Sequence, residues 1–266
     1  MYKKRSFLSI AIVLMIGIIV GLHALFSFTP KYPVVTLDRG WTVSYQNEHY
    51  LNTNLEHLSA QLGNTFSKGD ILTLSLTRPL PETKAPFPYL VFKTQFCAYE
   101  IYLDDELIEK KYTEDTSGST FIGIGFHSVR LPQDYAGRKL SIMLFVTENG
   151  TRADILNPML GNFDDLYRLL LTIVMFPAFT SIFLILFGFV FLIISLVFYV
   201  KTAGVSSQVI CSILSTVVGV WMLNAYDVID FYINSPFATF IEYSAMYLIL
   251  PLMYLLVYNL HKRQLN

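Results

Sequence analysis

The chain has 266 residues, 53% of them hydrophobic and only 15% charged, where a water-soluble domain carries about 25% charged residues. With a mean hydropathy of +0.48, that balance argues against a disordered chain, a collagen-like one and a soluble enzyme of ordinary make-up. The formal net charge of −1, with no basic stripe, gives no sign of a nucleic-acid partner.

Residues 1–30 open with Met1-Tyr2-Lys3-Lys4-Arg5 and turn apolar through Phe28. The apolar stretch is about 20 residues, longer than the roughly 7–15 of a signal peptide's core, and no small-x-small exit site follows. An uncleaved anchor helix behind a short cytoplasmic tail is expected. Residues 31–161 hold most of the charge and are enough for one domain with its own core.

Within that block, short segments alternate with period two, the mark of a half-buried strand. Trp41–Tyr45 opens the set. In residues 71–77, Leu72, Leu74 and Leu76 face one way and Thr73, Ser75 and Thr77 the other. Tyr89–Phe96 and Tyr99–Leu103 follow, then a turn at Asp104-Asp105-Glu106 and a return over Leu107–Lys111, which reads as a hairpin. Phe121–Leu131 carries Gly123 and Gly125 on one face, where a bulge or a close backbone approach is expected. Leu140–Val146 completes the pattern, and Asn52–Phe66 reads as a long loop. Short strands separated by turn signals indicate an all-β sandwich.

Residues 162–203 are expected to form a long coupling helix and second membrane span. Asn162 or Asp164 caps it, acids occupy its first turn, and Pro177 marks a kink where it enters the lipid. It either couples the outer domain to the membrane or simply packs against that domain over Phe163–Met175. Residues 204–266 give a third span, about Ser206 to Ala225, and a fourth from about Pro236 to a short basic C-terminus. Four spans of roughly 20 apolar residues each make the chain a multi-pass membrane protein. The positive-inside rule places Lys3, Lys4, Arg5, Lys201, Lys262 and Arg263 in the cytoplasm. Residues 31–168 and the short loop with Asp227 and Asp230 then lie outside. Cys97 and Cys211 fall in different compartments, so no disulfide is expected.

A resemblance sharpens this. The run Ala98-Tyr99-Glu100-Ile101-Tyr102-Leu103-Asp104-Asp105-Glu106-Leu107-Ile108, then Gly123–Pro132 and Gly137-Arg138-Lys139-Leu140, resembles a galactose-binding-like jelly roll. Asp105 stands where such modules commonly have Gly. The order of anchor, jelly roll and helices resembles the sensor half of bacterial seven-helix sensor proteins, as in the membrane-bound diguanylate cyclases of Firmicutes. Gly40-Trp41-Thr42-Val43, Leu186-Phe187-Gly188, Phe198-Tyr199 and Trp221-Met222-Leu223-Asn224 have counterparts there. The resemblance implies a sensory receptor in the plasma membrane, acting through a cytoplasmic effector or a further C-terminal domain. The sequence has no cyclase signature, kinase His box or phosphate-binding Gly-rich loop.

The candidate chemistry is that of binding. His23, His49, His57, His127 and His261 are scattered, with no metal-ligand spacing, and no cofactor is implied. Asp104, Asp105, Glu106 and Glu109 crowd a turn, where local hydrogen bonding explains them better than catalysis. Aromatic faces suit sugar rings, so Trp41, Tyr89, Tyr102, Tyr112 and His127 are the candidate ligand residues, for a small molecule, a carbohydrate among the options, or a partner protein. Trp221, Tyr226 and Tyr232 read as an interfacial aromatic belt. Asn224 and Glu242 are the polar candidates within the membrane, where an ionisable group faces protein or water. Glu242 contacts Asn224 or a further helix, or else snorkels. A homodimer is compatible with all of this. The alternative reading is a surface-anchored binding protein without signalling.

Overall fold

The computed structural model describes Gly21 and residues 28–63, 65–113, 121–152, 156–199, 205–233 and 235–264. The anchor expected over residues 1–30 falls almost wholly outside them, as do the orienting residues Lys3, Lys4, Arg5 and Lys201.

Ten strands make up the N-terminal part: β1 (Val35–Thr36), β2 (Arg39–Tyr45), β3 (Glu48–Asn54), β4 (Ile71–Leu76), β5 (Pro88–Gln95), β6 (Cys97–Leu103), β7 (Glu106–Lys111), β8 (Ile124–Arg130), β9 (Leu140–Val146) and β10 (Met159–Asn162). Every pairing is antiparallel. One sheet has the order β3-β2-β4-β9-β6-β7, the other β1-β10-β5-β8. The facing sides of the two sheets share a single apolar core, a β-sandwich arrangement. Leu72, Leu74, Tyr99, Ile101, Ile142 and Leu144 come from the larger sheet; Leu90, Phe92, Val129 and Leu160 come from the smaller. The expected alternation of β4 is present, with Leu72, Leu74 and Leu76 buried and Thr73 and Ser75 half-buried on the other face.

Trp41 is fully buried in this core, and its Nε1–H donates to the Leu37 carbonyl at 2.6 Å. Trp41→Phe removes that donor and part of the ring volume together. The full-length chain in detergent is expected to lose roughly 2–4 kcal/mol from the sandwich's unfolding transition, read by chemical denaturation.

The hairpin between β6 and β7 turns on two residues, Asp104 and Asp105, both at positive φ (46° and 69°), as a tight primed turn requires. The Asp104 carboxylate accepts from the Lys139 N–H at 2.8 Å and from Arg138 Nε at 3.0 Å. The turn is thereby tied to the neighbouring segment before β9 through Asp104. The stretch Asn52–Phe66 is more ordered than the loop expected: β3 runs to Asn54, a 3-10 turn spans Leu55–His57, and α1 spans Leu58–Leu62.

Three helices follow: α2 (Phe163–Tyr199), α3 (Ser206–Ala225) and α4 (Ser235–Gln264). Each is long and apolar enough to cross a membrane, giving three candidate spans among the described residues. At 1.5 Å per residue, α2 is about 55 Å long, well beyond a bilayer's hydrocarbon core. Helix α3 lies between the other two. It meets α2 through small residues: a Cβ at Gly188 would lie 2.6 Å from the Ser212 carbonyl oxygen, and one at Gly219 would lie 2.7 Å from the Ser181 carbonyl oxygen. Ser215 Oγ donates across to the Leu184 carbonyl at 3.0 Å. Such close, small-residue contacts are how helices associate where no hydrophobic effect drives them together. The outward surfaces carry Phe176, Phe183, Leu250 and Tyr254, all well exposed.

Candidate coupling site at the junction of sandwich and helices

The start of α2 is built into the sandwich. Its first residue, Phe163, follows β10 directly and donates its N–H to the Phe87 carbonyl at 3.0 Å. The buried Asn162 accepts from the Phe87 N–H at 3.2 Å. In the first turn, the Asp165 carboxylate accepts from the backbone N–H groups of Lys31 and Tyr32, at 2.9 and 3.1 Å. The segment entering the sandwich is thus pinned to the helix leaving it. Outward-facing Val91 and Met159 of the smaller sheet pack with Leu166 and Leu170 of α2, and Tyr89 meets Phe163 with ring centroids 4.8 Å apart.

The second contact lies along the open edge of that sheet. The β8 strand is an edge strand, and edge strands leave alternate N–H groups unpaired. Here two of those groups are taken up by the helical hairpin. The Ile124 N–H donates to Thr239 Oγ1 of α4 at 2.8 Å, and the Phe126 N–H donates to Asp230 in the α3–α4 connection. Such close approach requires glycine. A Cβ on Gly123, which sits at φ +80°, would lie 2.5 Å from the Ser235 carbonyl oxygen; one on Gly125 would overlap the Ser235 side chain. The close backbone approach expected at these two glycines is therefore made by α4.

The third contact is ionic. Lys93 on β5 directs its Nζ to both carboxylate oxygens of Asp227 at 2.6 Å, with each side chain only about one-fifth exposed (20% and 21%). Its ammonium also lies 5.6 Å from the centre of the Phe126 ring. Asp227 holds a positive φ of 60° just past α3, its N–H donating to the Asn224 carbonyl at 2.8 Å. Tyr167 of α2 hydrogen-bonds Tyr232 of the same connection. All three helices therefore touch the sandwich or are tied to it at one end of the bundle.

The local charge is unbalanced. Asp227, Asp230 and Glu242 gather around Lys93, the one cation near them among the described residues. Burial, and then the neighbouring Asp227 charge, push the Asp230 carboxyl up to about 7, with Glu242 adding to the shift and Lys93 and the Phe126 N–H opposing it. Its Oδ2 is buried and has no hydrogen-bond partner among the described residues. A partly open cavity of about 150 Å³ lies beside it, lined by Phe126, Phe163, Tyr167, Leu170 and Asp230 among others. Here the seam between sheet and α2 is not close-packed.

The five candidate ligand residues are not brought together. Trp41 lies in the core. Tyr89 is on the outer face of the smaller sheet, against α2. Tyr102 is half-buried on β6, its hydroxyl donating to Glu100 at 2.5 Å. Tyr112 follows β7 at φ +61°, with Lys111 Nζ 5.2 Å from its ring centre. His127 is buried inside the sandwich beside Phe92 and Tyr99. Its Nε2 bonds Thr94 Oγ1 at 2.8 Å, its Nδ1 has no partner, and burial, then nearby Lys111, pull its pKa down to about 3. The imidazole is therefore neutral.

Of the polar helix candidates, Asn224 is buried and turns its Nδ2 back to the Val220 carbonyl at 2.8 Å, while its Oδ1 has no partner. Glu242 belongs instead to the carboxylate group at the junction. Lys93, Ser235 and Thr239 carry no site signal in the local sequence pattern beyond one: a lysine directly follows the apolar run Tyr89–Phe92. Cys97 and Cys211 are both free, and burial pushes the Cys97 thiol up to about 12.

The chain is thus a two-sheet β-sandwich docked onto helices long and apolar enough to span a membrane. No protein-family profile matches it, and no curated protein does. Among solved structures, it is similar in part to an FMN-binding β-glucuronidase from Facaelibacterium prausnitzii L2-6 (TM-score 0.36, 9% identity, 50% of this chain and 22% of that one). It is also similar to a GH2 β-galacturonidase from Eisenbergiella tayi bound to galacturonate (0.35, 11%, 50% and 25%). A third likeness is to a β-D-mannosidase from Dictyoglomus thermophilum (0.30, 8%, 43% and 16%). The chain spans a quarter or less of the length of these structures. At such TM-scores the likenesses carry no functional weight.

Proposed function

We propose that this chain is the input module of an integral-membrane sensory receptor, working by binding and not by catalysis. The outer sandwich, read as a galactose-binding-like jelly roll, takes a small ligand, a carbohydrate among the candidates, or a partner protein. The helices carry the resulting change to a cytoplasmic effector or a further C-terminal domain. The basic residues at the ends of the apolar runs support a cytoplasmic effector and an outer sandwich.

One observation supports this most. An anchor needs a single helix, yet the sandwich grips three: α2 through β10 and Asp165, the α3–α4 connection through Lys93–Asp227, and α4 through Gly123, Gly125 and Thr239. A ligand shifts such an assembly only if it binds the two arrangements with different affinity. The loosely packed seam beside Phe163 and Tyr167 is where a second arrangement has room.

The test is hydrogen exchange on the full chain in lipid nanodiscs, with and without saturating members of a panel of mono- and oligosaccharides. A ligand that protects the sandwich is expected to change exchange at residues 163–170 and 226–239 as well. Protection confined to the sandwich, with the helices replaceable by any single anchor without loss of phenotype, would leave only a surface-anchored binding protein.

A further inference from the structure

We propose that Asp230 is a proton-operated latch: its protonated form holds the α3–α4 hairpin against β8, and its ionised form loosens that hold. Three features of the junction carry the inference. First, one carboxylate oxygen is buried without a partner, although the Phe126 N–H serves the group. A buried, unpartnered charged oxygen is costly, whereas a neutral carboxyl group is much less so. Second, the groups facing Asp230 are mostly of its own sign. Asp227 stands three residues before it in the connection, Glu242 faces it from α4, and Lys93 from β5 is the one nearby cation among the described residues, already bound through both oxygens of Asp227. Third, the carboxylate sits in the dock itself. A Cβ built on Gly125 would lie 3.3 Å from its Oδ2, so any movement of the connection away from β8 exposes it to water.

The other titratable groups around the site leave this assignment in place. His127, next to Phe126 on β8, turns its ring to Thr94 and Tyr99 and is held neutral, with Lys111 as its nearest charge. Tyr167 from α2 and Tyr232 from the connection hydrogen-bond each other.

The sign follows from the two states. Docked, Asp230 binds its proton up to about pH 7; undocked and in water, it behaves as an ordinary carboxyl near 3.8. A pKa raised in the docked state means that protons favour docking. Docking is fully supported below about pH 4 and loses that support as the pH rises through 7, by up to roughly tenfold per pH unit. The latch needs no ligand on the sandwich and is therefore an input separate from the receptor reading.

The experiment is hydrogen exchange at the Ile124 and Phe126 amides, corrected for intrinsic rate, on the full chain in nanodiscs from pH 5.5 to 8. Protection is expected to fall roughly ten- to thirty-fold across that range. In Asp230→Asn it is expected to stay flat. In Glu242→Gln, which removes one like charge, the wild-type fall is expected to persist with its midpoint moved to lower pH. A flat wild-type profile would overturn the latch while leaving the receptor reading standing. A pH-dependence retained in Asp230→Asn would overturn it too. So would an unmoved midpoint in Glu242→Gln, which remains informative if the asparagine variant does not fold.

Discussion

Gly125→Val is expected to detach α4 from the sandwich while leaving the sandwich folded. On an isolated edge strand this substitution would be neutral or stabilising, since valine suits a strand and glycine weakens one. Here the three atoms nearest a new Cβ all belong to the helical hairpin: Ser235 Oγ, Ser235 Cβ at 2.8 Å and Asp230 Oδ2 at 3.3 Å. The clash falls on the dock and not on the core. Overpacking of this kind costs roughly 1–3 kcal/mol, enough to shift the docked fraction about tenfold or more. The measurement is limited proteolysis of residues 226–239 alongside denaturant unfolding of the sandwich. Faster cleavage with an unchanged unfolding transition is the expected pair of results. A stabilised sandwich with unchanged cleavage would mean that α4 does not rest on β8.

Lys93→Ala is expected to weaken the same dock by removing the cation that faces its carboxylates. Asp227, Asp230 and Glu242 are then left facing one another without compensation. Removing one partner of a buried ion pair costs roughly 3–5 kcal/mol, while exposed pairs contribute roughly 0–1 kcal/mol. With both side chains about one-fifth exposed (20% and 21%), a loss of roughly 2–3 kcal/mol of docking free energy is expected near pH 8. It shrinks on acidification as Asp230 takes up its proton. Lys93→Met with Asp227→Asn is expected to cost less than Lys93→Ala alone, because no unpaired charge is left where the pair stood. A double-mutant cycle on the exchange rates at residues 226–233 gives the coupling. Additive single substitutions would show that the pair holds nothing together.

The parts of the fold that follow a clear period were legible in the sequence. The strands around Leu72–Leu76, Tyr99–Leu103 and Leu140–Val146 alternate because one face meets the core and the other does not. The spans α2 and α3 stand out because their apolar runs are uninterrupted by charge. The β3 strand was missed because it lies at a sheet edge with most of its residues exposed, so Glu48, His49 and Asn52 erase any alternation. The four residues of β10 are all buried and run straight into α2, so they carry no period of their own.

The junction was half legible. Gly123 and Gly125 signalled a close approach, and Asp227 and Asp230 marked a loop between two apolar runs. That these meet could not be read from local pattern. Lys93 and Asp227 lie 134 positions apart, and Ile124 and Thr239 lie 115 apart. Aromatic residues were weighed as ligand contacts because rings suit sugars, but in a sandwich rings are also the cheapest filling for the space between sheets. Trp41 and His127 are spent that way.

The sandwich and the α3–α4 hairpin form one docked unit. The most direct test is a pulsed electron-resonance distance between spin labels at Ser128 on β8 and Tyr247 on α4. The carrier is the full-length Cys97→Ala, Cys211→Ser chain in nanodiscs at pH 5.5. One narrow distance distribution is expected, broadening in Gly125→Val at that pH and, more than in the parent chain, in Lys93→Ala as the pH is raised to 8. A broad distribution in the parent chain, unchanged by either substitution, would contradict the docked unit.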